Sequence, residues 1–284
     1  MRHEFSPESI ERIQEIDVIE LRTEYLKLHD SNKEIFDGFA YAATIQQGLL
    51  PQQRHFDRFF KEYFVIYQPL NMIGGDFYWI TEKNDCVIFA VGDCTGHGIA
   101  GAMLSMLGIS FMNYVVLGKN MDDLGKIMEE MDKKWIETFN KYAETGVNND
   151  WMEISLASFN RKTRELRFAG AQAKIMITND EGTQVIRGNR FPIGGWQIEK
   201  NRTYTEHKII LPEDTMVYMT SDGFHHQMGG LKNKKLSGKK MREFISEIFY
   251  LPAKVQKSFL MMAFNEWKGK NLQTDDVCML GLRL

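Results

Sequence analysis

Four aspartates occupy matching places in the chain. They are Asp76 in Gly74-Gly75-Asp76-Phe77-Tyr78, Asp93 in Gly92-Asp93-Cys94-Thr95-Gly96-His97-Gly98, Asp222 in Ser221-Asp222-Gly223, and Asp275 in Thr274-Asp275-Asp276. Each adjoins the beginning or end of an apolar, strand-like run. A carboxylate at a strand end can turn into a shared cleft, and glycine beside it lets backbone approach a bound ion closely. Several hard oxygen donors without a histidine or cysteine cluster favour magnesium or manganese over zinc. Two such ions about 3.5–4 Å apart share a bridging oxygen, lower the pKa of a bound water and clamp both sides of an in-line phosphoryl displacement. A single Asp beside Gly is most often a turn residue. Four of them in like strand contexts carry the chemical reading.

The elements that must position these carboxylates follow from periodicity. Short apolar or aromatic runs over 63–67, 77–80 and 86–91 predict three strands, followed by a long helix over 99–117 and a second over 122–142. A linker over 144–150 carries Gly146, Asn148 and Asn149. Strands over 152–160, 165–170, 173–179, 183–187, 203–210 and 215–220 then read as hairpins around polar turns. Helices over 239–248 and 253–267 lead to a final strand over 277–284. Ahead of all this, Ser6-Pro7 signals a helix start, and Ile10, Ile13, Ile16 and Ile19 recur at helical spacing to about residue 30. A second helix over 33–50, with Ile35, Phe39, Ala42, Ile45 and Leu49 on one face, stops at Pro51. The prediction is an α+β protein of antiparallel sheets covered by helices. Residues 1–50 form an N-terminal helical linker or regulatory segment and residues 51–284 the catalytic domain.

Composition narrows the functional classes. The 284 residues are 43% hydrophobic and 26% charged, enough to bury a sizeable core. A net charge of -3 provides no global basic field, so nucleic acid is not an expected partner. Cys86, Cys94 and Cys278 are too few and too oddly spaced for a disulfide framework or a thiolate zinc site, which fits a reducing cytoplasm. No apolar run approaches the roughly 20 residues of a bilayer span, and the start lacks a signal peptide's apolar stretch. The expectation is a cytoplasmic chain without direct membrane insertion, alone or as the cytoplasmic part of a longer membrane-bound sensor.

Taken in order, GGDFYW, a strand into GDCTGHG opening a helix, FAGA, SDGF, and TDDV entering the last strand resemble the SpoIIE/RsbU-type bacterial branch of the metal-dependent protein phosphatases. The resemblance covers residues 46–284 and implies the protein phosphatase 2C-like αββα sandwich of two antiparallel sheets flanked by helices. It also implies two divalent cations, Mn2+ or Mg2+: Asp93 bridges both, Asp76 with the backbone carbonyl of Cys94 serves one, and Asp222 with Asp275 holds the other. Asp276 is the neighbour to which a one-residue error would move the last role. Direct attack by a metal-activated water needs no nucleophilic side chain. The substrate class implied is a phosphoserine or phosphothreonine on a small regulatory partner, such as an anti-sigma-factor antagonist. Ile45-Gln46-Gln47-Gly48-Leu49-Leu50-Pro51 looks like the junction behind a sensory element, so a homodimer through the N-terminal helices is a further expectation.

Other residues carry two readings. His97 is a proton donor to the leaving alkoxide or, more simply, a helix-start residue. His225-His226 face the cleft or lie exposed in a loop, the latter being the simpler expectation. Lys232, Lys234, Lys235, Lys239, Lys240 and Arg242 recruit an acidic substrate or form a solvated face. Glu153 reaches an additional metal or sits plainly at a strand edge. GGDF also invites comparison with diguanylate cyclases, but Phe77 stands where their second acidic residue belongs, and Asp222 and Asp275 would go unexplained. A catalytically inactive phosphoprotein-binding module is the other rival.

Overall fold

The computed structural model describes residues 7–140, 149–196, 199 and 201–284, with side chains described from residue 20 onward, Asn140 excepted. Ser6 and the linker glycine Gly146 fall outside the described residues, and the side chains of the Ile10–Ile19 face outside the described side chains. By contacts the chain divides into Met1–Ile45 and Gln46–Leu284.

Helix α1 runs without interruption over Pro7–Leu49, where two helices had been expected to meet near residue 31. Asp30, Ser31 and Asn32 explain the continuity. None is Gly or Pro, and each costs only a few tenths of a kcal/mol, up to about 0.7, in a helix interior. Pro51 does end it.

The larger unit begins with α2 (Gln53–Asp57), β1 (Tyr63–Gln68), β2 (Asp76–Lys83), β3 (Cys86–Cys94), α3 (Gly98–Met112) and α4 (Leu124–Asn140). It continues through β4 (Trp151–Asn160), β5 (Glu165–Ala171), β6 (Lys174–Asn179), β7 (Gly182–Arg187), the short β8 (Ile193–Gly194), β9 (His207–Ile210) and β10 (Met216–Thr220). It closes with α5 (Gly223–His226), a small hairpin β11 (Met228–Gly229) and β12 (Lys234–Lys235), α6 (Gly238–Ile248), α7 (Ala253–Lys268) and β13 (Val277–Arg283). One sheet has the order β1-β13-β10-β6-β7 and the other β2-β3-β4-β5-β9, every pairing being antiparallel.

Period-two alternation builds three layers of core from these strands. In β3, Val87, Phe89 and Val91 face the other sheet, while Ile88 and Ala90 turn outward to the α3 and α4 side. In β10, Val217 and Met219 meet them from the opposite sheet, and Met216 and Tyr218 turn to α6 and α7. Each such side chain contributes about 1.5–3 kcal/mol by leaving water. The result is the expected helix–sheet–sheet–helix sandwich.

Helix α3 continues as a π-helical stretch, Asn113–Gly118. The combined 21 residues have a mean hydropathy of 1.7, so by length and composition one helix does reach bilayer dimensions, against the sequence expectation. More than half of it is buried within the protein. Its apolarity is used against sheet residues such as Phe77 and Met152, which crowd Gly108.

Candidate metal centre

Strand register delivers the carboxylates to one end of the sandwich. Asp76 opens β2 and is paired directly with Asp93 near the end of β3; Glu153 on β4 is paired with Asp93 from the other side. On the second sheet, Asp222 follows β10 and Asp275 precedes β13, and these two strands are neighbours. The Ser221 amide donates to the Cys278 carbonyl at 2.9 Å, which fixes the two aspartate-bearing ends side by side. The four aspartates named from sequence are thus brought together, two from each sheet.

Glycine is required where the loop before β2 passes this end. A Cβ on Gly75 would lie 2.7 Å from the Cys94 carbonyl oxygen and 2.8 Å from that of Gly96. A Cβ on Gly74 would lie 2.5 Å from Asp276 Oδ2. The loop therefore presses its backbone against the Cys94 carbonyl, the main-chain group expected to join the metal ligands.

No lysine or arginine pairs with any of the four aspartates among the described residues. Burial first, and the Asp93 charge next, push the Asp76 carboxyl well above its ordinary range. Asp93 is raised by burial and then by Asp222, Glu153 and Asp275. Asp275 is also raised, burial being the main cause. Glu153 is pushed up to about 7 by burial and by Asp222. Carboxylates crowded in this way either take up protons or bind cations. Three of the aspartates turn to a local partner: Asp76 Oδ2 accepts from Ser221 Oγ at 2.6 Å, Asp222 Oδ2 lies 2.8 Å from His226 Nδ1, and Asp275 Oδ1 accepts from the Asp276 amide at 2.8 Å. Among the described residues no three acidic, histidine or cysteine side chains already stand around one ion position. The donor set, all oxygen and strongly acidic, fits hard divalent cations.

Asp276 is distinct from Asp275. It is buried, and both its oxygens are engaged, Oδ1 by the Leu70 amide and Oδ2 by the Gly75 amide, each at 2.6 Å. It staples the loop that leads to Asp76. Three further supports escaped the sequence reading. Ser221 Oγ joins the sheets, donating to Asp76 and accepting from the Cys278 amide at 2.9 Å. Buried Gln227 accepts from the Thr274 amide at 3.1 Å and donates to the Leu272 carbonyl at 3.0 Å, holding the approach to Asp275. Buried Gln46 grips Gly74 on both sides: its Nε2 donates to the Gly74 carbonyl at 2.7 Å and its Oε1 accepts from the Gly74 amide at 3.3 Å. The only sequence signal for any of these is adjacency to a motif.

His97 stands at the start of α3, exposed, and contacts Asn71 at 3.3 Å without capping the helix. The expectation of exposed loop histidines is overturned. His225 and His226 lie on α5 and line the cleft, because the chain turns helical directly after Asp222, placing His226 four residues on and on the same face. His225 is pushed down to about 3 by burial and by the charges of Lys174, His226, Lys235 and Arg242. Glu153 faces the same cavity as Asp93 and Asp222.

With this geometry in view, comparison with known proteins gives a consistent class. The family model for stage II sporulation protein E (SpoIIE) matches residues 83–284. The SiaA-PP2C domain of Pseudomonas aeruginosa is similar at 27% identity and a TM-score of 0.81, covering 89% of this chain and 98% of that one. The PP2C phosphatase domain with a regulatory fragment of SpoIIE from Bacillus subtilis aligns at 13% identity and a TM-score of 0.64, over 78% of this chain and 63% of that one. RsbX in complex with magnesium aligns at 15% identity and 0.53, over 78% and 92%. No curated protein sequence matches. The chain belongs to the SpoIIE family of PP2C-type serine/threonine phosphatases, and the cyclase reading of GGDF falls with that assignment.

Proposed function

We propose that Asp76, Asp93, Asp222 and Asp275 hold two divalent cations, Mg2+ or Mn2+, with the Cys94 carbonyl as a further ligand, and that the site hydrolyses phosphoserine or phosphothreonine on a small regulatory partner protein. The observation that carries this reading is the meeting of two aspartates from each sheet, without a cationic side chain to pair them, at one end of the sandwich. Bound there, the cations supply an activated water and neutralise charge on the phosphoryl oxygens. Asp93, paired in register with Asp76 and raised by burial and then by Asp222 of the other sheet, would suit a bridging role. Asp275 rather than Asp276 is assigned, because both Asp276 oxygens are committed to backbone amides. Ser221 and the Gly74-Gly75 loop hold the carboxylates in place. No side-chain nucleophile is needed.

The test is hydrolysis of a small aryl phosphate with manganese, with magnesium and with chelator, beside Asp93→Asn and Asp222→Asn. Activity that requires metal and is lost in both variants is expected. Turnover that survives chelation, or survives Asp93→Asn, overturns the reading.

The partner class, a phosphorylated anti-sigma-factor-antagonist-like protein in cytoplasmic partner switching, rests on the family. Homodimerisation rests on α1, where Leu21, Tyr25, Leu28 and Ile35 are exposed and, with Asn32, alternate at four- and three-residue spacing. That is the seam of a coiled coil, with a polar residue fixing register. Removing residues 1–44 is expected to change oligomeric state; an unchanged mass by light scattering would remove this part of the proposal.

A further inference from the structure

Beside the metal aspartates lies a cavity of about 230 Å3. Asp93, Glu153 and Asp222 line it together with Lys174, His225 and His226. Asp76 and Asp275 do not line it, so it extends to one side of the four-carboxylate centre.

Basic side chains gather around Lys174 and His225. The position of a Cβ on Gly238 is 3.7 Å from His225 Cδ2, 3.8 Å from an Arg242 guanidinium nitrogen and 3.9 Å from Lys174 Nζ. Three basic side chains from β6, α5 and α6 therefore converge on one glycine. Lys174 Nζ is 3.5 Å from His225 Nε2, and the β6–β7 register sets Arg187 opposite Lys174. Nearby basic residues have other employment: Lys239 is 3.9 Å from Glu243, and Lys240 lies 4.3 Å from the centre of the Trp267 ring. Lys174, Arg187, Lys235 and Arg242 have no carboxylate within 4.0 Å among the described residues. Burial, and then the charges of Arg187 and Arg242, draw the Lys174 ammonium below its ordinary value against the opposing pull of Glu153 and Asp222. Like charges held together beside a cavity constitute a receptor for an anion.

The position of the cluster selects the anion. A phosphoryl group under attack belongs at the four aspartates. The cations begin at Lys174 in the cavity lining and run outward to Arg187 and Lys235, which are exposed. A residue next to the phosphorylated one lies only about 3.3–3.6 Å further along an extended peptide. At about 30 Å3 per water, the cavity displaces several waters and admits a carboxylate side chain. We propose that Lys174, Arg187 and Arg242 form a specificity subsite that takes an acidic side chain flanking the phosphorylated residue of the protein substrate. This rests on the phosphatase reading above.

Two fluorescent peptides test it, each carrying a non-hydrolysable phosphonate analogue of phosphoserine, one flanked on both sides by Glu and the other by Gln. Their affinities for the magnesium-loaded protein are read by fluorescence anisotropy. The wild-type protein is expected to bind the Glu peptide about tenfold more tightly, as a partly desolvated ion pair gives. Lys174→Gln with Arg242→Gln erases the preference and Lys174→Arg retains it. The more exposed pair Arg187→Gln with Arg242→Gln reduces it about threefold, which keeps the test open if loss of Lys174 disturbs folding. Equal or undetectable affinity for the two peptides in the wild type, or a preference that survives both double variants, overturns the subsite. Failure of the phosphatase reading shows separately, as aryl phosphate turnover indifferent to chelator.

Discussion

The two ends of the sandwich treat charge in opposite ways. At the end away from the aspartates, Glu82 lies between Arg58, at 2.7 Å, and Arg161; Lys162 is 2.9 Å from Asp85; Glu62 is 3.2 Å from Arg283. Each of these carboxylates has a cationic neighbour, and the side chains are partly or largely exposed. At the other end Asp76 is only 2% exposed and is raised by Asp93, with a hydroxyl as its nearest partner. Stability alone favours the first arrangement. The second persists at a cost in folding free energy, which is what a site organised around an external cation requires.

The largest effect expected from disturbing this contrast is at Asp93. Asp93→Asn removes the central charge of the acidic end and should lower metal-dependent turnover by roughly 10²–10³-fold or more, the scale for losing one preorganised electrostatic element. The same substitution should raise the unfolding temperature of metal-free protein, because it relieves repulsion among Asp76, Asp222, Glu153 and Asp275. The pH dependence has a definite sign. Glu153 is raised from 4.5 to about 7 on folding, so the folded state binds more protons between those values. Metal-free protein therefore loses stability as pH rises from about 4.5 to about 7, and saturating Mg2+ or Mn2+ opposes the loss. At 100 times its dissociation constant, one bound ion adds about 2.7 kcal/mol. Differential scanning calorimetry with and without chelator measures both. A metal-free protein more stable at pH 7.5 than at pH 5 would contradict the charge assignment.

A smaller effect is expected one bond away from the carboxylates. Ser221→Ala removes the hydroxyl that donates to Asp76 and accepts from the Cys278 amide, leaving a buried acceptor and donor each short of a partner. The loss is about 1–3 kcal/mol of stability. It should also weaken metal binding by isothermal titration calorimetry, roughly tenfold, since the hydrogen bond orients Asp76, a proposed ligand. Stability falling with metal affinity unchanged would make Ser221 purely a clasp between sheets.

How much of this was legible in the sequence depends on distance along the chain. The sheet strands are legible because Val87, Phe89 and Val91, or Val217 and Met219, alternate strictly with residues of the opposite face. The four aspartates are legible because each sits at the end of such a run. Helix α1 misled because a short polar stretch, Asp30-Ser31-Asn32, looks like a boundary but costs too little to make one. Residues 207–210 form a shorter strand than the eight residues expected, and β8, β11 and β12 carry only two residues each, too few for any period. Gln46, Ser221 and Lys174 act through partners 28, 145 and 51 residues away, and no local pattern encodes such pairings.

The smallest effect belongs to the far end. Glu82→Gln leaves Arg58 and Arg161 without their shared carboxylate. Both arginines are well exposed, so water replaces most of what is lost, and surface pairs of this kind contribute about 0–1 kcal/mol. In a domain of this size, 1 kcal/mol corresponds to about 2–4 °C in unfolding temperature. The variant should melt no more than a few degrees lower, shift by less still at high salt, and turn over aryl phosphate at the wild-type rate, since β2 carries Glu82 six residues from Asp76 and the intervening strand is held by β3 throughout. A loss of turnover comparable to that of Ser221→Ala would mean that charge at this end sets the register of β2, and the two ends would then be one electrostatic system.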